Sequence, residues 1–343
     1  MVFEKINKTK FYKLIAEFRE IQEDFLTIFG VNDIFSNSKI YEIIIANELD
    51  HDLIAGHSGS KDAKNENGGE YEYKHFKETS SNHSWTFNDY TDNTITNLAL
   101  AEGVVFAHID DTIFPAMLDW YIYVDGKVCS LYLKQRTEDL LARQPKGKSN
   151  ARRMINISAK QLETDLGLKK TQILVPKTNG KYTKWLQKLY NLNAELEKCT
   201  NVTNLLTSNK IWEVLVAVEL NHNVNSEQGG NAGGYDAYDD AGNTYEYKVS
   251  KTYSWQFQDI SENVLEKYKH DSEIILAVVD KTNIEVIAIF SAKPNKVVET
   301  LKEKLAEKAQ NYADKDKEIR RLQVFLTKGD LIMIEANQIF PKP

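Results

Sequence analysis

The stretch D-A-K-N-E-N-G-G-E-Y-E-Y-K at residues 62–74 returns in altered form as D-A-Y-D-D-A-G-N-T-Y-E-Y-K at residues 236–248. Each stretch begins with an acid, has a glutamate ten positions later and ends two positions after that with a lysine. One such pattern is weak because acids and lysines are common. Two copies at equal internal spacing indicate two related sites. These residues are Asp62, Glu72 and Lys74 in the first site and Asp236, Glu246 and Lys248 in the second.

The spacing predicts that each stretch folds as a β-hairpin. Three-residue hairpin loops place a glycine in the left-handed conformation at their third position. Loops at 66–68 and 240–242 each have glycine third. A turn at 66–68 puts Asp62 opposite Glu72, where directly opposed Cβ atoms are about 4.5–5.5 Å apart. Lys74 lies two residues beyond the glutamate and therefore shares its face of the strand.

The similarity continues on both sides of the two stretches. Upstream, S-K-I-Y-E-I-I-I-A-N-E-L-D-H from Ser38 matches N-K-I-W-E-V-L-V-A-V-E-L-N-H from Asn209, which pairs Glu42 with Glu213. The same match pairs two further acids and two histidines, for which helix-end and structural roles are favoured. They are Glu48 with Glu219 and His51 with His222. Downstream, S-W-T-F-N-D matches S-W-Q-F-Q-D. The chain is therefore interpreted as a duplication.

The two repeats extend over about residues 10–165 and about residues 181–335. This period of about 170 residues is far longer than the roughly 20–50 of solenoid repeats, so each repeat is predicted to be a whole domain. A cluster of Pro, Asn and Gly near residues 176–181 indicates the boundary. The predicted domains are 1–175 and 176–343.

Composition fits a folded protein of two domains. The chain has 343 residues, of which 42% are hydrophobic and 27% charged. No apolar run approaches the ~20 residues of a membrane span, and the first residues lack a secretory signal, so a cytoplasmic location is expected. Cys129 and Cys199 are the only cysteines, which argues against disulfides and zinc. The net charge of −7 argues only weakly against nucleic acid, because 43 Lys and Arg could gather on one face.

Each repeat shows mixed helix and strand patterns. Segments 39–50 and 210–220 have helical apolar spacing, although their β-branched residues favour strands. Runs 104–109 and 273–279 are typical of buried strands. Segment 296–321 is rich in Lys and Glu and predicts a solvated helix. The predicted fold class is α/β (α+β), with two tandem cores that each have a mixed β-sheet flanked by helices.

The paired acids and the lysine suit metal-dependent phosphodiester hydrolysis. Two facing carboxylates repel each other unless a cation compensates, and hard oxygen ligands suit Mg²⁺, for which Mn²⁺ is expected to substitute. Such an ion neutralises developing charge and acidifies a bound water. Lys74 and Lys248 could orient or deprotonate that water. Glu42 and Glu213, on the preceding helix, could complete the metal shell through water or bind a second ion.

With these residues the chain resembles the PD-(D/E)xK nuclease superfamily, which includes many restriction endonucleases. The resemblance covers about residues 38–110 and 209–280 and depends on the acids, lysines and helix glutamates of both sites. It implies a mixed sheet flanked by helices, Mg²⁺ dependence, and DNA hydrolysis that leaves a 5′-phosphate. The metal ligands it implies are Asp62, Glu72, Asp236 and Glu246. The chain departs from the family pattern in having Lys61 and Tyr235, not proline, before the two aspartates.

Further residues are candidates for contacts with DNA. Lys77 and Lys251 could bind phosphate or be solvated, and Trp85 and Trp255 could contact bases or, as aromatic residues more often do, pack in a core. Two arginine pairs could contact phosphate or cap a helix. They are Arg152 with Arg153 and Arg320 with Arg321.

The sequence thus predicts a Mg²⁺-dependent type II restriction endonuclease that cuts double-stranded DNA at a specific sequence. The chain would act as a monomeric pseudo-dimer with one active site per strand, and its gene would lie near that of a cognate DNA methyltransferase. One alternative is a structure-specific or repair nuclease of the same superfamily. Another is a non-catalytic DNA-binding module in which the carboxylates hold metal without cleavage.

Overall fold

A computed structural model describes residues 6–32, 34–35, 39–55, 61–88, 90–143, 154–225, 234–314 and 322–341. The helices in these ranges are α1 (Lys8–Phe29), α2 (Lys39–Leu49), α3 (Asp92–Leu98), α4 (Gly126–Ala142), α5 (Ala159–Leu166), α6 (Thr183–Thr200), α7 (Lys210–Leu220), α8 (Glu262–Tyr268), α9 (Pro294–Ala313) and α10 (Asp330–Met333). Within the same ranges, no helix is long and apolar enough to cross a membrane.

The strands lie between these helices along the chain, singly or in groups of up to four. Those of the first half are β1 (Asp52–Leu53), β2 (Ala63–Lys64), β3 (Glu70–Lys77), β4 (Trp85–Asn88), β5 (Gly103–Asp110), β6 (Met117–Asp125), β7 (Met154–Ile157) and β8 (Thr171–Gln172). Those of the second half are β9 (Asn223–Val224), β10 (Ala237–Tyr238), β11 (Thr244–Ser250), β12 (Ser254–Phe257), β13 (Glu273–Asp280), β14 (Glu285–Ala292), β15 (Val324–Thr327) and β16 (Asn337–Phe340).

The chain forms two compact units. The first unit is Glu20–Leu192, and the second unit consists of Met1–Arg19 together with Asn193–Pro343. The division falls inside α1 and inside α6. Residues 1–19 therefore group with the second repeat, whereas residues 176–192 group with the first.

Each unit contains one six-stranded mixed sheet. In the first unit the strand order is β1-β2-β3-β5-β6-β8, with β3 and β5 parallel and the other neighbours antiparallel. In the second unit the order is β16-β14-β13-β11-β10-β9, and β11 and β13 are its parallel pair. Helices flank both sheets. The predicted fold class, two tandem α/β cores with mixed sheets, is confirmed.

Burial explains why the ambiguous segments adopt their structures. The predicted strands 104–109 and 273–279 are the central strands β5 and β13, and both are buried along almost their whole length. The predicted helices 39–50 and 210–220 are α2 and α7, in spite of their β-branched residues, because packing outweighs the small cost in helix propensity. The predicted helix 296–321 is α9, and its last predicted residues, 315–321, lie outside the described ranges.

Trp85 and Trp255 occupy equivalent places in the hydrophobic cores of their units. Each indole is 0% exposed, and its Nε1 donates a hydrogen bond of 2.8 Å to a backbone carbonyl, that of Ala107 or Ala277. Neither ring has surface left for a base or a sugar. The predicted packing role is confirmed, and the alternative of DNA contact is wrong for both tryptophans.

Candidate active sites

The first site is built on the hairpin of β2 and β3. Ala63 pairs with Tyr71, and the regular pairing ends there. The N–H of Asp62 also donates to the carbonyl of Tyr71, at 2.8 Å, so Asp62 lies beside Glu72 at a step in the register and not in the predicted directly opposed pair. At the turn the backbone N–H of Asn65 donates to the carbonyl of Gly69 at 2.9 Å. That closing pair leaves a loop at 66–68, whose third residue, Gly68, has a φ of 82°. The predicted three-residue turn is confirmed.

The second site repeats this geometry on β10 and β11. Ala237 pairs with Tyr245, and the N–H of Asp239 donates to the carbonyl of Asn243 at 3.0 Å. Gly242 closes the loop with a φ of 84°. The N–H of Asp236 donates to the carbonyl of Tyr245 at 2.9 Å, so Asp236 has the same place beside Glu246 that Asp62 has beside Glu72. Because L-residues with side chains disfavour positive φ, glycine at this loop position fixes the register that brings the two acids together.

The aspartate of each site accepts a backbone hydrogen bond from the tyrosine between the glutamate and the lysine. Asp62 Oδ2 accepts from the N–H of Tyr73 at 2.6 Å, and Asp236 Oδ2 accepts from the N–H of Tyr247 at 2.8 Å. These bonds hold one oxygen of each carboxylate against the strand. They explain why the tyrosine position forms part of the site even though its side chain points to the other face of the sheet.

The lysine and glutamate of each site form an ion pair. Lys74 Nζ contacts Glu72 Oε1, and Lys248 Nζ contacts Glu246 Oε1. Lys74 also lies over the ring of Phe87 at 5.2 Å, and Lys248 lies over Phe257 at 5.4 Å. An ammonium over an aromatic face is stabilised by the ring quadrupole. The downstream S-W-x-F match therefore supplies a ring that supports each lysine.

Burial and mutual repulsion make one carboxyl group of each site, that of Asp62 or of Glu246, hard to ionise without a cation. Burial, followed by the charges of Glu72 and Glu42, raises the pKa of Asp62 to about 8. Burial raises the pKa of Glu246 to about 7, and Asp236 adds to the rise although Lys248 opposes it. Such shifts are common where carboxylates share a functional site.

The pKa values of the two lysines are also raised, which for a lysine favours the charged form. Burial alone would lower the pKa of Lys74, but the charges of Glu72 and Asp62 raise it above the ordinary value. The pKa of Lys248 is raised in the same way by Glu246. Both side chains are therefore ammonium groups at neutral pH, which can donate hydrogen bonds but cannot accept a proton.

The helix glutamates lie beside these sites, and each has a lysine partner that the sequence analysis missed. Lys39 Nζ lies 2.5 Å from Glu42 Oε2, and Lys210 Nζ lies 2.6 Å from Glu213 Oε2. Each lysine is the first residue of its helix, three positions before the glutamate. The signal was present in the sequence, since S-K-I-Y-E and N-K-I-W-E match at the lysine as well as at the glutamate.

A cavity of about 300 Å³ opens at the first site. Its lining combines the acids and lysine of the site with further residues of β3 and with residues in and just before β4. The lining residues are Glu42, Asp62, Glu72, Tyr73, Lys74, His75, Ser84 and Thr86. The structure thus brings together Glu42, Asp62, Glu72 and Lys74, the residues that the sequence assigned to this site.

The matched histidines and the outer helix acid Glu48 make structural contacts near the two sites. His51 Nδ1 lies 2.7 Å from the hydroxyl of Tyr73, and His222 Nδ1 lies 2.8 Å from that of Tyr247. Burial lowers the pKa of both histidines, which agrees with neutral structural roles. Glu48 accepts a hydrogen bond from the backbone of a loop residue, so its role is also structural.

The remaining DNA-contact candidates are less defined. Lys77, at the end of β3, forms an ion pair of 3.2 Å with Asp111, and Lys251 is exposed just after β11. Phosphate contact stays a prediction for both. The arginine candidates lie outside the described residues. They are Arg152, Arg153, Arg320 and Arg321.

The donor set of the first site fits a hydrated divalent cation. Glu72 is 8% exposed, and its Oε2 atom is buried without a hydrogen-bond partner. A buried carboxylate oxygen without a partner is costly, and a cation would satisfy it. Within the described ranges, no three His, Cys, Asp or Glu side chains form a group that could hold a metal ion. Two carboxylates with several waters is nevertheless the usual protein contribution to a Mg²⁺ site.

The raised pKa values predict how metal-free stability depends on pH. The carboxyl of Asp62 has a pKa of about 8 when folded but an ordinary value of ~3.9 when unfolded. Between these values the folded protein binds more protons, so the free energy of unfolding falls as pH rises. We expect the melting temperature in EDTA to drop between about pH 5 and about pH 8, and Mg²⁺ to restore it most at the higher pH.

Differential scanning calorimetry with EDTA or Mg²⁺ measures this effect. The variant Asp62→Asn, which carries a neutral side chain of the same shape, should show a flatter dependence on pH. Equal melting temperatures for the metal-free protein at both ends of the range would contradict the prediction.

Comparison with known proteins gives no family assignment. No protein-family model matches the chain, and no curated protein matches it. Its function must therefore be inferred from the two sites themselves.

Proposed function

We propose that the chain is a Mg²⁺-dependent endonuclease of the PD-(D/E)xK type that cuts double-stranded DNA at a specific sequence. One observation carries the proposal. The same set of aspartate, glutamate and lysine is built twice, on the same hairpin and beside the same parallel strand, with the same backbone hydrogen bond to the aspartate. Two solvated hairpins would have no reason to keep a buried glutamate, a half-buried aspartate and the paired ammonium.

The roles of the residues follow from their contacts. Asp62 and Glu72 would hold the cation, and the bound ion would supply Lewis acidity and a more acidic water. Lys74 carries a fixed positive charge next to Glu72, so it would orient the water and neutralise charge on the scissile phosphate rather than act as a base. Phe87 holds the ammonium in place. Asp236, Glu246, Lys248 and Phe257 have the same roles in the second site.

Two complete sites suit a substrate with two strands. Each site would hydrolyse one phosphodiester bond, so a single chain would do what two identical subunits do in a dimeric enzyme. A monomer with diverged repeats could recognise an asymmetric sequence. An enzyme of this kind needs a cytoplasmic location and a DNA methyltransferase partner, encoded nearby, that protects the host DNA.

A digest of long duplex DNA tests the proposal. Purified protein with Mg²⁺ or Mn²⁺ should give discrete fragments whose mapped ends share one sequence and carry 5′-phosphates. EDTA, or the double variant Asp62→Asn/Asp236→Asn, should abolish cleavage. Cutting confined to flaps or junctions would identify a repair nuclease instead. Metal-dependent binding without any cleavage would identify a binding module and would contradict the proposal.

A further inference from the structure

We propose that each site takes a single divalent cation and that a lysine of the preceding helix, Lys39 or Lys210, supplies the positive charge that a second ion would otherwise bring. This inference rests on the proposed function and specifies the metal content of its two sites. Lys39 and Lys210 would act as positioning residues, because each touches the helix glutamate and not the substrate.

The first step is the environment of Lys39. Its side chain is 1% exposed, and its Nζ lies 2.5 Å from Glu42 Oε2. A buried ammonium is costly unless it is paired, and removal of one partner of a buried pair leaves an uncompensated charge. The pair therefore fixes Glu42 as the counter-charge of Lys39. Glu42 then has little negative charge left to attract a cation.

The second step is that the other repeat contains the same pair. Lys210 Nζ lies 2.6 Å from Glu213 Oε2, with exposed fractions of 24% and 22%. The pair is more open than in the first site, yet its geometry is unchanged. Two diverged repeats with different burial thus keep the same lysine next to the same glutamate.

The third step is the charge of the whole site. With every group ionised, the three carboxylates and two ammonium groups of the first site give a net charge of −1. One divalent ion changes this to +1, which balances the single negative charge of a phosphodiester. A second ion would leave an excess of like charge in a partly buried site, where repulsion is poorly screened.

The fourth step is the supply of oxygen ligands. Among the described residues of the first site, the buried oxygen without a hydrogen-bond partner is Oε2 of Glu72, on the hairpin, and not an oxygen of the helix glutamate. Among the residues that the structure describes, Glu42 does not join Asp62 and Glu72 in a group able to hold a metal. The hairpin carboxylates therefore provide the cation site, and the helix pair lies beside it.

The number of bound ions tests the inference. Full-length protein without DNA is titrated with Mn²⁺, and free Mn²⁺ is followed by its electron paramagnetic resonance signal. We expect two ions per chain. The variant Lys39→Met keeps the length of the side chain but removes its charge, so it should release Glu42 and raise the number to three. Lys210→Met should also raise the number of bound ions to three. Lys39→Arg and Lys210→Arg, which keep the positive charge, should leave the number at two.

Each other outcome has a defined meaning. Four ions in the wild-type protein would overturn the inference and leave the proposed nuclease standing, whereas no bound Mn²⁺ would overturn both. An unchanged number in Lys39→Met and Lys210→Met would overturn the role of the lysines. If Lys39→Met does not fold, the number of ions bound by the wild-type protein and by Lys210→Met, which alters a more exposed residue, still tests the inference. Circular dichroism checks the fold of each variant.

Discussion

If the chain is the endonuclease proposed above, Lys74→Ala is expected to leave an enzyme that nicks only one strand of the duplex. The variant should convert supercoiled plasmid to open circles at a near-normal rate, while linear product should form more slowly by about 100-fold or more. The physical reason is that Lys74 is the charged donor of one site only, and the second site keeps its own lysine, acids and supporting ring. A time course of plasmid forms on agarose gels, in Mg²⁺, measures both rates.

The second lysine and an exposed lysine of the same hairpin provide the controls. Lys248→Ala should nick the opposite strand, and the double variant should be inactive. Lys64→Ala removes an exposed lysine on β2 and should cut both strands normally. Because Lys74 is not a proposed ligand, its variant should still bind Mn²⁺, which separates loss of chemistry from loss of folding. A single variant that still linearises the plasmid at the wild-type rate would contradict the two-site mechanism.

The hairpins show why part of each site could be predicted residue by residue. The turn depends on local chemistry, namely a glycine in the left-handed region at Gly68 and Gly242. Once the turn is placed, the period of two along a strand determines which residues face each other. That rule brings Asp62 and Glu72 to the same end of the hairpin. It does not give the hydrogen bond from Asp62 to the carbonyl of Tyr71, at which the regular pairing ends.

Other parts of the site depend on burial, which sequence alone does not give. The sequence favoured core packing for Trp85 but left DNA contact open, and only its exposure of 0% decides between them. Lys39 was overlooked because a lysine at a helix start is usually solvated, whereas here it is 1% exposed. The match between repeats would have revealed it if every shared charged residue had been treated as a candidate.

The assignment of α1 to the two units could not be predicted from the repeats. A repeat shows which residues resemble each other, but not which neighbour a helix packs against. Residues up to Arg19 group with Asn193–Pro343, and two hydrogen-bonded contacts support this. Tyr12 donates to Glu219, and Arg19 Nη2 donates to the carbonyl of Ile284 at 3.1 Å. The second unit is thus completed by residues from the other end of the sequence.

Removal of the first 19 residues should therefore unfold the second unit and spare the first. Its described part, residues 6–19, contains four fully or almost fully buried apolar side chains, Phe11, Leu14, Ile15 and Phe18. Truncation of one such side chain typically costs about 2–5 kcal/mol, and a domain has only ~5–15 kcal/mol of stability. Hydrogen exchange followed by mass spectrometry should show lost protection in β13 and retained protection in β5.

A matched pair of point variants in α1 makes the same argument without a truncation. Phe18 is 0% exposed and belongs to the second unit, whereas Leu26 is 41% exposed and belongs to the first. Phe18→Ala should lower the free energy of unfolding of the second unit by about 3–5 kcal/mol, and Leu26→Ala should change stability by only about 0.5 kcal/mol. Faster exchange in β5 than in β13 of the Phe18 variant would mean that α1 supports its own repeat.

Removal of the first 19 residues should also change the cleavage products of the proposed endonuclease. The truncated protein should nick plasmid DNA but no longer linearise it, because only the site on β10 and β11 would be lost.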